Sequence, residues 1–330
     1  MKKITRLFAG IAVLSAMTLG AAAIAGCTTD KTSDGNKFTQ VNTAEEAYGF
    51  SAATAGMVIS GMNGGTAHAA AAAKAASSRS GAQVTDEATI ASLNEYMMLV
   101  ESLLADGNFE IVSTENDDAE YAQYGYKMTA AYYDLNGNRL EYISYYNQTL
   151  EGSYTERDDD WWDDEEVTEI YSVEGVMIVD GSAYPMEGKF VNETEGNESE
   201  NTHTLKVTLD ATANDYLLVT QESENEDGES ETEYVYATYN GGRMTERTTF
   251  EYENERGETE IKMTVVDRIN NTSNVFEFEK ENERGREIVK ITVGGNGEKR
   301  EYIVRVETTS DGNSQYVYYS GGNAIWRGER

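Results

Sequence analysis

Cysteine, proline and histidine are almost absent from this chain, whose 330 residues include one cysteine, one proline and two histidines. A single cysteine excludes disulfide bonds within the chain and metal sites built from several thiolates. The two histidines, His68 and His203, have no nucleophile-elbow motif, cysteine or metal-binding histidine near them in sequence, so triad or zinc catalysis has little support. Both are expected at the surface. With Pro185 as the only proline, little prevents long strands from pairing continuously.

Positive charge is also scarce. The chain has 26 Lys and Arg against 59 Asp and Glu, a formal net charge of −33. A field of this sign repels nucleic acid and anionic lipid headgroups, so neither is expected as a partner through charge. The same field suits a solvated protein and could attract cations or basic peptides.

The clearest motif lies in the first 27 residues. Lys2, Lys3 and Arg6 form a cationic start, and residues 7–26 are almost wholly apolar or small. The run is long enough to be a transmembrane helix. Small residues crowd its second half, however, as a signal-peptide cleavage region requires. The segment Ile24-Ala25-Gly26-Cys27 resembles a lipobox, the site cut by lipoprotein signal peptidase.

The resemblance to bacterial prolipoproteins implies that residues 1–26 are a signal peptide and that Cys27 carries the lipid. The membrane is then a partner through this lipid, and the protein lies on the extracytoplasmic face of a bacterial cell membrane. Each buried methylene contributes about 0.8 kcal/mol, so two or three acyl chains hold a protein there. Residues 27–42 are polar and are expected to form a flexible tether.

A helical, alanine-rich region is predicted over residues 43–107. Thr43 and Glu46 fit a capping box, and apolar residues at helical spacing follow until the helix is expected to stop near Gly61. The alanine-rich stretch after it is expected to be a frayed helix or a linker, because its small side chains cannot anchor a core. A second helix is predicted over residues 86–105.

From residue 108 to residue 330 the apolar residues recur at every second position, which indicates strands with one buried face and one solvent-exposed face. Pairs such as Asp180-Gly181, Gly241-Gly242 and Gly321-Gly322 separate the runs as hairpin turns do. The predicted fold class is α+β and mainly β. Two N-terminal helices precede a long antiparallel β-meander, which curls into a partial barrel or a two-layer sheet because so many strands rarely stay in one open sheet.

At the level of architecture, this order is similar to that of the lipoprotein-carrier family, in which a half-open barrel cups an apolar cavity beneath helices. The resemblance rests on the element order and the signal, with no shared residue motif. It implies a carrier role for an apolar ligand, although a fold does not establish a function.

The most unusual segment of the mature chain runs from Asp158 to Glu166 and contains seven carboxylates around two tryptophans. Ca²⁺ takes six to eight oxygen ligands, so it is the one candidate cofactor. Its candidate ligands are Asp158, Asp160, Asp163 and Asp164. A solvated acidic loop explains the same residues. Trp161 and Trp162 either pack onto the sheet or stack on a glycan or a basic protein partner.

Tyrosine is abundant, with 22 copies. The candidate ligand contacts among them are Tyr126, Tyr132, Tyr142 and Tyr146, which could line a groove for a lipid, glycan or peptide. Sheet propensity and cross-strand packing explain the same pattern without a ligand.

The leading functional hypothesis is a non-enzymatic binding or carrier lipoprotein, with no catalytic residue assigned. One alternative is a structural or adhesive surface protein that uses the acidic tryptophan segment. Another is an envelope hydrolase, which would need two converging carboxylates, one with a raised pKa. The sequence does not define the oligomeric state.

Overall fold

The computed structural model describes residues 36–37, 43–76, 90, 93–94, 96–104, 108–133, 139–156, 166–196, 198–226, 229–255, 258–269, 271–283, 286–295, 298–308, 310 and 314–329. Most of them lie in strands, whose bounds are β1 (Asn36–Lys37), β2 (Asn108–Glu115), β3 (Tyr126–Tyr133), β4 (Arg139–Glu156), β5 (Glu166–Val179), β6 (Ser182–Glu195), β7 (Glu198–Asp210), β8 (Asp215–Glu226), β9 (Glu229–Asn240), β10 (Arg243–Glu255), β11 (Glu258–Asp267), β12 (Thr272–Glu283), β13 (Arg286–Gly295), β14 (Glu298–Thr308), β15 (Ser314–Ser320) and β16 (Asn323–Glu329).

The strands form one antiparallel sheet in which each strand pairs with its neighbours in sequence, from β1 to β16. β1 has only two residues, and the other fifteen strands make up the sheet proper. Among the described residues, the first and last strands do not pair with each other, so the sheet is not closed. The prediction of a mainly β protein with a long antiparallel meander is confirmed.

The predicted turn at Asp180 and Gly181 connects β5 to β6. Both residues have positive φ, 50° and 75°. Two successive residues of this kind give a two-residue hairpin the twist that matches its strands. The Gly241-Gly242 and Gly321-Gly322 pairs also have positive φ and occupy equivalent turns.

The first helix, α1 (Ala44–Ala76), begins where the capping box was predicted. The backbone N–H of Glu46 donates to Oγ1 of Thr43 at 3.2 Å. The prediction that the helix stops near Gly61 is wrong, because α1 continues through it. Glycine costs a helix about 1 kcal/mol relative to alanine but does not block it sterically. The alanines that follow restore helix propensity.

The second helix, α2 (Met97–Leu104), lies inside the segment predicted to be helical. α1 contacts α2, strands β2 to β8 and also β16, and α2 contacts β12. Both helices therefore lie on one face of the sheet, which we call the inner face. The opposite face is the outer face.

The inner face forms one continuous apolar core with the helices. On β7 and β8 the side chains of Leu205, Val207, Leu217 and Val219 are fully buried. Phe50 and Met57 of α1 belong to the same core. Residues between these inner positions point to the outer face, because successive side chains of a strand alternate.

Candidate functional site on the outer face of the sheet

The outer face carries glutamates that lie directly opposite one another on neighbouring strands. Glu193 of β6 pairs with Glu200 of β7, and Glu200 pairs in turn with Glu224 of β8. Glu200 and Glu224 are exposed, whereas Asn201 and Ser223 beside them are buried on the inner face. We call Glu193, Glu200 and Glu224 the central row.

Two further rows flank the central row. On one side Glu166 of β5 pairs with Glu195, which pairs with Glu198. On the other side Glu222 of β8 pairs with Glu233 of β9. Directly opposite residues on adjacent strands have Cβ atoms about 5 Å apart, and residues two apart along a strand lie about 6.6 Å apart. The acidic surface consists of these eight residues: Glu166, Glu193, Glu195, Glu198, Glu200, Glu222, Glu224 and Glu233.

Like charges directly opposite each other destabilise a sheet. The electrostatics of Glu193 reflect this arrangement. Partial burial, followed by the carboxylates of Glu200 and Glu166, raises the pKa of Glu193 above its usual value. The fold therefore holds mutually repelling carboxylates next to one another on this face.

Lysines of the outer face neutralise glutamates elsewhere. Lys206 Nζ lies 2.8 Å from Glu187 Oε1, Lys262 Nζ lies 2.6 Å from Glu251 Oε2, and Lys290 Nζ lies 3.1 Å from Glu279 Oε2. Within the part of the chain that the structure describes, no ion pair involves a residue of the central row. The central row thus holds a local excess of negative charge.

The segment that carries the two tryptophans directly precedes Glu166 of the acidic surface in sequence. Residues 157–165 connect the end of β4 to the start of β5. The flanking residues Glu156 and Glu166 are paired across those two strands, and Glu166 belongs to the acidic surface. The candidate residues Asp158, Asp160, Trp161, Trp162, Asp163 and Asp164 lie in this connection, outside the described residues. Cys27 also lies outside them.

The candidate tyrosines lie beneath α1. Tyr132 and Tyr142 stack with ring centroids 6.4 Å apart, and Tyr126 and Tyr146 pack 5.5 Å apart. Tyr132, Tyr142 and Tyr146 are buried, and Tyr126 is half-buried. Tyr48 of α1 packs on Tyr146 with centroids 6.3 Å apart. The structure thus brings these side chains together as two separate pairs, on the face of the sheet that α1 covers.

His203 is buried, so the expectation of a surface histidine is wrong for this residue. It stands two residues before Leu205 and four before Val207, and this period of two was the signal that it faces inward. Ser51 Oγ of α1 lies 2.7 Å from Nδ1 of His203. Burial lowers the pKa of His203 to about 3, so its ring is neutral at physiological pH. Since both side chains are sealed from solvent, this contact does not present a serine nucleophile.

One pair of carboxylates meets part of the requirement for a hydrolase. Glu246 of β10 lies directly opposite Asp267 of β11. Burial raises the pKa of Glu246, with a smaller effect from Asp267. The hydroxyl of Tyr96 donates to Glu246 Oε1 at 2.5 Å, and Thr248 Oγ1 donates to the Tyr96 oxygen at 2.8 Å. These bonds fix the Tyr96 ring on the sheet, which is a structural role.

No group of three or more His, Cys, Asp or Glu side chains is arranged to hold a metal ion among the residues described above. The helices described by the structure include none that is both long and apolar enough to cross a bilayer. Comparison of the chain with family models, with curated proteins and with solved structures gives no match in any of the three.

Proposed function

We propose that the protein is a lipid-anchored, extracytoplasmic lipoprotein that binds a cationic partner through its acidic surface, without catalysis. The anchor is Cys27, in the lipobox-like segment Ile24-Ala25-Gly26-Cys27. The sheet curls around the two helices as a partial barrel and so leaves its outer face to the solvent. A core of this size supports an exported domain that has no disulfides.

The observation that carries the proposal is the direct opposition of Glu193, Glu200 and Glu224. A pair of like charges in this position costs on the order of 0.2–1 kcal/mol. Solubility alone does not call for it, because charges placed diagonally or beside lysines solvate a sheet equally well. A positively charged partner removes the cost and converts the repulsion into attraction.

The partner best matched to this surface is a basic peptide segment in an extended conformation. Side chains two apart in such a segment lie about 6.6 Å apart on one side, which is also the separation of the glutamate rows. Lysines or arginines at alternate positions would then meet successive rows. Trp161 and Trp162 are joined to the edge of this surface through Glu166 and would add stacking contacts.

The carrier alternative places an apolar ligand against the inner face. Phe50, Met57 and Val58 of α1 fill that side of the core. A ligand that lies along the inner face would therefore have to displace α1. For this reason we place the binding role on the outer face.

The binding proposal is tested with the full chain and a synthetic peptide that has lysine at every second position. The triple variant Glu193→Gln, Glu200→Gln, Glu224→Gln is expected to bind it at least tenfold more weakly at low salt. The matched control is Glu110→Gln, Glu187→Gln, Glu279→Gln, which removes the same charge from glutamates already paired with arginine or lysine. The control is expected to keep most of the affinity. Equal losses in the two variants would show that only net charge matters and would contradict a defined site.

The anchoring proposal is tested in bacterial cells that express the full chain. We expect incorporation of a labelled fatty acid, recovery in the membrane fraction, and loss of both when Cys27 is changed to Ala. Recovery of the uncut, unacylated chain from the cytosol would contradict it. This result is independent of the peptide-binding test, so either proposal can fail alone.

A further inference from the structure

Several buried side-chain polar atoms have no hydrogen-bond partner among the described residues, and three of these atoms belong to side chains that lie next to one another beneath α1. They are Nε2 of His203, Oε1 of Gln221 and the hydroxyl of Tyr48. An unsatisfied polar group in a protein interior costs about 1–3 kcal/mol, so native structures rarely keep several together. Their clustering points to a group that bonds to them.

The sheet register brings two of these atoms to one place. His203 of β7 and Gln221 of β8 are directly opposite each other, and both are buried on the inner face. The amide nitrogen of Gln221 donates to Ser223 Oγ at 3.3 Å, so its carbonyl oxygen is the free end. The ring of Tyr48 packs edge-on against His203, with centroids 4.9 Å apart.

The direction of the hydrogen bond between Ser51 and His203 determines what each of the two atoms needs. When the Ser51 hydroxyl donates to Nδ1 of His203, the proton of the neutral ring lies on Nε2. Nε2–H then requires an acceptor, and Oε1 of Gln221 requires a donor. A single hydroxyl oxygen supplies both, since it accepts one hydrogen bond and donates another.

We propose that His203 and Gln221 form an internal site for one neutral hydroxyl group, enclosed between α1 and strands β7 and β8. The chemistry of the site excludes charged ligands. Ser51, Tyr48, Phe190 and Gln221 surround the ring, and none of them carries a charge at neutral pH to pair with an ion. Since Phe50, Met57 and Val58 of α1 fill the core above the sheet, the hydroxyl is that of a water molecule sealed in during folding.

The chain is suited to a direct test because it has only two histidines. In the full chain labelled with ¹⁵N-histidine, His68→Gln assigns the two rings. We expect the His203 ring to carry its proton on Nε2, and this proton to exchange slowly. A sealed water gives a cross-relaxation peak from the Nε2 proton to the water resonance. Peaks to aliphatic protons that disappear after extraction with organic solvent would show an alcohol ligand instead, and would contradict both the sealed water and the filled core.

Gln221→Met removes the acceptor at nearly constant volume and is expected to abolish that peak. Ser223→Ala is the control, because it removes the partner of the amide nitrogen and leaves Oε1 in place; the peak is expected to persist. An unprotonated Nε2, a slowly exchanging Nε2 proton without a peak to water, or a water peak unchanged in Gln221→Met would overturn the proposal.

Discussion

The two faces of the same strands differ in the burial and the charge of their side chains. On β10, Phe250 points inward and is fully buried, whereas Glu251, the next residue, lies on the outer face in an ion pair with Lys262. The inner face is a single continuous core across most of the sheet. The outer face changes character along the strands, from glutamates paired with lysines to the acidic surface around Glu200.

This difference separates what folds the protein from what we propose it binds with. Burial of apolar surface contributes about 25 cal/mol per Å². The helices cover, and so bury, only the inner face of the sheet. The outer face is largely free of that constraint, because exposed substitutions rarely change stability by more than about 0.5 kcal/mol. A repulsive cluster such as the central row can persist there at small cost.

The largest expected effect is loss of core packing at Phe250. We expect Phe250→Ala to lower the free energy of unfolding by about 3–5 kcal/mol, as for other buried aromatic truncations. Glu251→Gln, one residue away, is expected to change it by less than about 1 kcal/mol, because an exposed ion pair contributes little. Urea denaturation of both variants measures the contrast. Similar losses in the two would mean that the faces do not differ as described.

Acidification is expected to weaken the inner face at His203. The pKa of this histidine is lowered to about 3 by burial, whereas it is about 6.5 in an unfolded chain. The unfolded state therefore binds the proton first, and stability falls as the pH drops from 6.5 towards 3. At pH 5 the loss is about 2 kcal/mol.

His203→Gln provides the comparison for this pH effect. We expect its stability to vary less between pH 6.5 and pH 5 than that of the unchanged chain. Burial raises the pKa of Glu246, so the stability that this group contributes rises as the pH drops, opposite to the effect of His203. Since Glu246 and His68 are present in both proteins, their contributions cancel in the difference. Parallel pH profiles would show that His203 is not buried as a neutral ring.

A close approach of α1 to the sheet at Gly56 gives a smaller effect. A Cβ atom on Gly56 would lie 2.6 Å from Cε1 of the Tyr142 ring, so Gly56→Ala forces the helix and sheet apart. Such overpacking costs about 1–3 kcal/mol, and the better helix propensity of alanine returns about 1 kcal/mol. Gly49→Ala is the control. Its Cβ would meet the flexible side chain of Ile111, so we expect a smaller loss in thermal denaturation.

Much of this sheet could be predicted from local pattern. The alternation at Leu205 and Val207 places the inner face correctly, and the Asp180-Gly181 pair marks a real hairpin turn. Such features depend on neighbours within a few residues. The continuation of α1 past Gly61 is not predicted from the sequence, because glycine commonly ends helices and the alanines after it carry too little apolar bulk to mark a buried helix face.

The acidic surface could not be predicted, because it depends on register. Glu193, Glu200 and Glu224 are spread over more than 30 positions in a chain rich in glutamate, and only the pairing of three strands brings them together. The buried contact between Ser51 and His203 joins residues separated by 152 positions. Neither arrangement has a sequence motif, so each required the tertiary structure.

The smallest expected effect concerns the outer face alone, and it is the one that bears on the acidic surface. Glu200 lies between two glutamates, Glu193 and Glu224. Glu187, on the neighbouring strand, lies between Glu174 and Lys206. Removal of the Glu200 charge relieves two repulsions, so Glu200→Gln is expected to stabilise the protein by about 0.2–1 kcal/mol.

Removal of the Glu187 charge relieves one repulsion and breaks one attraction, so Glu187→Gln is expected to leave stability nearly unchanged. Urea midpoints measured at low salt and at 1 M NaCl test both expectations. The Debye length falls from about 30 Å at 0.01 M to about 3 Å at 1 M, so the gain in Glu200→Gln should shrink as salt is added. A gain that persists at 1 M NaCl would mean that repulsion is not its cause, and the acidic surface would lose its main physical support as a binding site.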